Sequence, residues 1–296
     1  MNRGILYAVG AYFLWGIFPV YWKLIHVVPA IEIIAHRVVW AFLFVLLVVS
    51  IRKDWHWVRP AFRAPRILFT FSLTGLLLFI NWLVYVWAVN AGYIVDASLG
   101  YFINPLVNVV LGVFFLRERL RLWQWIPVGV AALGVLYLTI SYGALPWIGL
   151  TLAFTFGTYG LLKKTAQLSS IHGFALETGF LFLPAFIYLL GLEFTGQAAF
   201  PHGSELETIL LMLTGVATGL PLLLFGAAAR LVPLSTLGFI QYIAPTLQFL
   251  IGVLVYGEAF TPSRMVGFGM IWVALLIYSV DGILARRTSL VVSPAD

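Results

Sequence analysis

The chain has 296 residues, 62% of them hydrophobic and only 9% charged, with five His, no Cys and a formal net charge of +6. A mean hydropathy of +1.03 and so little charge, against about 25% in globular domains, exclude a water-soluble domain of any size and identify an integral membrane protein. The absence of Cys removes disulfides, thiolate metal sites and Cys nucleophiles, and because Lys and Arg fall in short loops between apolar runs, the positive balance reads as a topology signal and not as nucleic-acid binding.

Crossing about 30 Å of hydrocarbon takes roughly 20 helical residues, and the apolar runs here predict an all-α integral membrane protein with ten transmembrane helices. They are expected at 4–22, 30–51, 67–89, 97–116, 124–140, 145–162, 172–191, 208–229, 235–256 and 264–284. The first lacks a small-residue cleavage site and reads as a retained span. On one of its faces stand Tyr12, Trp15 and Pro19. The second opens AIEIIAHRVVWAF (Ala30 to Phe42), with Glu32, His36 and Arg37 in an otherwise apolar segment. Fourteen Leu, Ile, Val and Phe from Ile31 to Ile51, at about −0.3 to −0.6 kcal/mol each, outweigh one Arg at roughly 2.5 to 3.5 kcal/mol, so the charge alone does not prove a function. Arg37 lies about 10 Å below the outer end, within snorkelling reach. It is either an interfacial Arg beside a Glu32/His36 pair or a gate or substrate-carboxylate site.

In the third span Asn81 and Tyr85 share a face, with Trp82 and Trp87 adding aromatic area that serves either packing or a cavity wall. In the fourth, Tyr101, Asn104 and Asn108 share a face around Pro105; in the ninth, Gln241 and Gln248 share one around Pro245. Such amides face protein or a wet cavity, where they either hold a polar ligand or join helices at about 0.6 kcal/mol apiece. The prolines are either gating hinges or tolerated kinks. Glu177 in the seventh span lies about 8 Å inside the opposite face, and Gly215 and Gly219 in the eighth form GxxxG, a close-packing signal. Trp55, Trp57, Trp123, Trp125 and Trp147 sit near span ends, as an interfacial aromatic belt does.

With the N-terminus inside, fourteen Lys and Arg face the cytoplasm and two, Lys23 and Arg264, face outward, while Arg37 lies within a span. That split predicts cytoplasmic N- and C-termini. The run SLGYFINPLVNVVLGVFFLRE, from Ser98, echoes TLGFIQYIAPTLQFLIGVLVYGE, from Thr236. Leu99 and Gly100 recur as Leu237 and Gly238; Pro105, Gly112 and Glu118 recur as Pro245, Gly252 and Glu258. Phe13, Gly16 and Lys23 likewise meet Phe154, Gly157 and Lys164. The unit is five helices, and an odd number inverts the second copy, predicting two inverted five-helix repeats, residues 1–143 and 144–296. The inverted alignment sets His36 against Glu177, which places ionisable groups at opposite mouths, separated by roughly 10 Å of depth, as candidate gates with Arg37, Pro105 and Pro245.

AYFLWGIFPVYWKL, AHRVVW, NWLVYVWAVN, SLGYFINPLVNVVLG and LGFIQYIAPTLQFL together resemble the RarD branch of the EamA group in the drug/metabolite transporter superfamily, over almost the whole chain. The resemblance implies ten helices in two inverted repeats and an exporter- or permease-like role in the bacterial inner membrane. Inverted-repeat carriers bind substrate near the midplane between repeats. The expected cavity residues are therefore Tyr12, Trp15, Asn81, Trp82, Tyr85, Tyr101, Asn104, Asn108, Gln241 and Gln248. No G-x-x-x-x-G-K-[ST] run is present, so ATP hydrolysis through a Walker site is excluded. The expectation is a secondary transporter of a small metabolite or amphipathic compound, not an enzyme, with no cofactor or metal. Its partners are a small-molecule substrate and the lipid bilayer; protons are a candidate coupling ion through Glu177, His36 or Asp281. The alternatives are an intramembrane enzyme, which calls for a His and acid cluster or metal set at one membrane face, or a membrane interaction or sensor protein with a filled interior.

Overall fold

The computed structural model of the protein describes residues 3–116, 122–142, 144–231 and 240–291, and the described residues are helical, with no strand among them. The helices are α1 (Arg3–Gly16), α2 (Phe18–Leu24), α3 (Ala30–Ile51), the short α4 (Val58–Phe62), α5 (Pro65–Asn90), α6 (Ile94–Leu116), α7 (Leu122–Tyr142), α8 (Trp147–Thr165), α9 (Ser170–Phe194), α10 (Glu205–Leu231), α11 (Ile243–Leu250) and α12 (Pro262–Val291). Among the described residues, five segments are long and apolar enough to cross a membrane: Arg3–Leu24, Ala30–Ile51, Pro65–Asn90, Ile171–Phe194 and Glu205–Phe225. Trp125–Ser141, Ile243–Val255 and Pro262–Tyr278 are shorter apolar helices. Large apolar side chains such as Phe69, Phe114, Phe194 and Leu254 stay exposed on the bundle surface, where hydrocarbon takes the place of water.

Three local features depart from simple spans. The first segment breaks at Ile17, and Pro19 sits in the first turn of α2, where a missing N–H is tolerated. Its ring nitrogen cannot donate to the carbonyl of Trp15, and the Nε2 of Gln248 donates to that oxygen instead, at 3.1 Å. Pro245 lies in the first turn of α11, so it removes no hydrogen bond from a helix interior. Beyond α11 a π-turn, Ile251–Val255, ends the segment, and Gly257 at φ 63° reverses the chain.

α3 and α9 run antiparallel along the bundle. The start of α3 meets the end of α9 through Glu32 and Ala199, their middles meet at Phe42 and Phe182 with ring centroids 4.9 Å apart, and the end of α3 meets the start of α9 through Asp54 and His172. Around this pair, α10 packs on both α1 and α3, α5 on α8 and α9, α6 on α8 and α11, α11 also on α1, and α12 on α7. Close crossings rest on glycine. A Cβ on Gly100 would lie 2.6 Å from the carbonyl oxygen of Gly149, and one on Gly215 would collide with the Trp40 backbone. Gly219, its GxxxG partner, abuts the Phe44 ring, so that motif packs α10 against α3 as the sequence suggests.

Candidate substrate pathway

The second-span charge does not snorkel to a surface. Arg37 is 3% exposed, its Nε donates to Thr218 Oγ1 on α10 at 2.8 Å, and its guanidinium lies 4.2 Å from the Trp82 ring, 5.2 Å from Trp22 and 5.9 Å from Phe18. Tyr21, Tyr85 and Tyr101 stand within its electrostatic reach. Among the described residues no carboxylate pairs with it, and its Nη1 has no acceptor. His36, one residue earlier, lies tilted against Phe200 with a centroid distance of 5.0 Å, and both its ring nitrogens are without a hydrogen bond among the described residues. It lies 4.0 Å from Glu32, whose Oε1 accepts from the Ala199 N–H at 2.8 Å.

Glu177 is the counterpart on α9 and has a cation beside it, although its Oε2 has no hydrogen-bond partner among the described residues. Its Oε1 accepts from Thr74 Oγ1 on α5 at 2.8 Å and from Lys163 Nζ on α8 at 3.0 Å. By the register of Phe42 on Phe182, Glu177 lies roughly 15 Å of helix rise from Arg37, further than the sequence spacing suggests. The two charges do not touch.

Asn81 is engaged on both sides of its amide. Nδ2 donates to the Leu152 carbonyl at 3.0 Å and to Thr155 Oγ1 at 2.9 Å, while Oδ1 accepts from Tyr101 at 3.4 Å. Tyr85 packs edge-on to Tyr101 at 5.7 Å, with its hydroxyl buried and without a partner among the described residues. Tyr12, Trp15 and Phe225 form a ring cluster with centroids 5.4 to 6.1 Å apart. Asn104 and Gln248 are buried, and Asn104 Oδ1 and Gln248 Oε1 have no partner among the described residues. Gln241 and Trp87 are not in this layer's core: Gln241 is half-buried at the turn before α11, and Trp87 is exposed, stacked on Tyr93 at 5.8 Å. The side chains of Pro105 and Asn108, and residues Glu118, Leu237 and Gly238 of the repeat, lie outside the described residues.

Both ends of the bundle are bridged by short polar contacts. At one end, besides Glu32 and Ala199, the Glu258 carboxylate accepts from the N–H groups of Ile94 at 2.7 Å and Val95 at 2.8 Å, capping α6, and Arg264 meets Asp96 at 3.0 Å. Burial pushes the Glu258 carboxyl up against the pull of those N–H groups. At the other end His172 meets Asp54 at 2.8 Å, and His56 meets the second oxygen at the same distance. The His172 ring holds the Asp54 carboxyl below its usual range. Trp57 stacks on His172 at 4.9 Å and is buried, so this residue of the expected interfacial belt is instead part of a bridge; Trp55, Trp125 and Trp147 are exposed. A crevice of about 480 Å³ opens at the break between α1 and α2, lined by Ile17, Phe18, Tyr21, Val216, Ala217 and Pro221 among others.

Sequence reasoning missed Thr218, Thr74, Thr155 and Lys163. Threonine barely registers in hydropathy, and the one available signal was that Thr74 and Thr218 recur at 144 residues, close to the 140 that separates Arg37 from Glu177.

The profile of the EamA-like transporter family matches residues 2–140. Protein RarD of Streptomyces exfoliatus is 46% identical over 97% of this chain and 91% of its own. An uncharacterized transporter of Vibrio cholerae is 46% identical over 97% of this chain and 95% of its own. A solved crystal structure, 18% identical, superposes with a TM-score of 0.62 over 97% of this chain and 99% of that one, a likeness of fold. With such identity over nearly the whole of both chains, the protein belongs to the EamA-like transporter family, as a membrane transporter of the RarD type in the drug/metabolite class.

Proposed function

We propose that the chain is a secondary carrier that exports a small metabolite or amphipathic compound by alternating access between two inverted five-helix repeats, residues 1–143 and 144–296. The observation that carries this reading is the bridging of both ends, Glu32 to Ala199 and Asp54 to His172, around a buried layer whose polar atoms are only partly satisfied. A membrane bundle built purely for stability satisfies such atoms. The packing supports ten spans in two repeats, because it is preserved when the halves are exchanged: α10 on α1 matches α5 on α8, α10 on α3 matches α5 on α9, and α6 on α8 matches α11 on α1. Arg37 with Thr218 and Glu177 with Thr74 repeat one arrangement between the same exchanged helices.

On this reading each end opens in turn while the other stays bridged, and the substrate meets Trp82, Tyr85, Asn104 and Gln248 between them. The aromatic faces take apolar area and the amides fix orientation. Glu177 is the candidate proton-responsive group. The excess of Lys and Arg on one side supports cytoplasmic termini in a bacterial inner membrane. Solute counterflow in reconstituted vesicles tests the reading: a carrier loaded with unlabelled substrate accumulates labelled substrate transiently, whereas a channel, enzyme or sensor does not.

A further inference from the structure

Among the described residues, Arg37 is a buried cation without a paired carboxylate. A guanidinium has five N–H donors, and here Nε is satisfied by a neutral threonine while Nη1 is buried without an acceptor. Two further buried donors beside it also lack acceptors among the described residues: the indole N–H of Trp22, whose ring is 5.2 Å from the guanidinium, and the hydroxyl of Tyr85, within its electrostatic reach. Aromatic faces partly offset the burial of a cation. They do not accept its N–H groups in the plane, where a carboxylate binds bidentately. A buried charge normally has its counter-ion, as Glu177 has Lys163.

We propose that Arg37 is the anion-binding residue of the carrier, and that the substrate is a small monocarboxylate on a flat apolar body, bound with its carboxylate against Arg37, Tyr85 and Trp22. This rests on the transport reading above and names the substrate class of the same site. The flat apolar body follows from the walls: Trp82 and Trp22 face the guanidinium, and Phe18, 5.9 Å from it, also lines the apolar crevice at the break between α1 and α2. A zwitterion's ammonium finds no free carboxylate beside Arg37 among the described residues: Glu32 is bonded to the Ala199 N–H beside His36, and Glu177 is held by Lys163 and Thr74 roughly 15 Å away. A buried cation without a counter-ion favours a ligand of net negative charge over a neutral or dipolar one.

The test uses the full-length protein in lipid nanodiscs with three probes of one skeleton: 3-phenylpropionate, its neutral amide, and phenylalanine. The carboxylate is expected to raise the melting temperature and to bind at least about tenfold more tightly than the other two, the scale of one charge-assisted contact. Arg37→Gln is expected to abolish that preference and Arg37→Lys to keep part of it. Tyr85→Phe, nearly isosteric, is expected to weaken carboxylate binding about threefold with the unliganded melting temperature unchanged, which keeps the test valid should Arg37→Gln fail to fold. Equal binding of amide or phenylalanine, no binding by any of the three, or undiminished carboxylate binding in Arg37→Gln and Tyr85→Phe each overturn the assignment. Counterflow of a neutral or cationic solute that survives Arg37→Gln also overturns it while leaving the carrier standing. Carboxylate binding without counterflow of 3-phenylpropionate supports the site and counts against the carrier.

Discussion

Arg37 and Glu177 stand in comparable places: each is seven residues into one of two antiparallel helices, nearly fully buried, and bonded to a threonine on a neighbouring helix. Glu177 also has Lys163 at 3.0 Å, and Arg37 has no counter-ion among the described residues. The difference separates a charge paired across helices from one without a paired carboxylate among the described residues. Insertion energy alone could not make that distinction, since an apolar helix carries either one.

The comparison breaks or sharpens by substitution. Glu177→Ala leaves the partly buried Lys163 without its carboxylate and is expected to cost about 3 kcal/mol of unfolding stability, read by denaturation in detergent. Arg37→Met removes a cation that has no counter-ion, leaves no orphaned carboxylate, and is expected to cost about 1 kcal/mol or less. Equal costs at the two positions would mean that Arg37 is scaffold. Next in size is Gly215→Val, whose Cβ meets the Trp40 backbone: about 2 kcal/mol, because a backbone cannot step aside as a side chain can.

A smaller effect probes how the halves differ at their prolines. Pro19 frees the Trp15 carbonyl and Gln248 takes it, while the Gln241 carbonyl, four residues before Pro245, accepts from the Ala244 N–H at 3.2 Å and needs no side-chain partner. Gln248→Leu is expected to cost about 1 kcal/mol in the wild type and close to nothing in a Pro19→Ala background, where residue 19 can donate again; a double-mutant cycle reads the coupling.

The smallest effect is at the His172 end. Asp54 has its carboxyl lowered chiefly by the hydrogen bond from His172, so its contribution is present above the unfolded value of about 3.9 and is lost as pH falls through the lower folded value. Stability from Asp54 is therefore flat from pH 7 to 5 and declines only in stronger acid. Asp54→Asn abolishes that acid-side decline, and melting curves between pH 7 and 3 check it.

Much of the fold was legible because the bilayer enforces it: long apolar runs must be helices, and 30–51 coincides with α3. The Pro/Gly/Glu register carried the repeat reading. The site was legible as a set of residue types but not as partners. Sequence spacing put Arg37 near a mouth with Glu32 and His36, yet its bonded neighbour is Thr218, 181 residues on, and its nearest ring is Trp82. Asn81 looked available for ligand and is engaged by Leu152, Thr155 and Tyr101. Local spacing shows which residues share a face, whereas pairing across helices depends on rotation and depth that period alone leaves free.

Alternating access is tested most directly by locking each end separately. The chain has no Cys, so paired cysteines need no background changes. Glu32→Cys with Ala199→Cys spans one end, and Asp54→Cys with His172→Cys spans the other; each pair is bridged with a short bifunctional thiol reagent in reconstituted vesicles. The expected result is that either bridge alone abolishes counterflow and that cleaving the bridge restores it. Undiminished counterflow with either end locked would contradict a carrier that opens its two ends in turn.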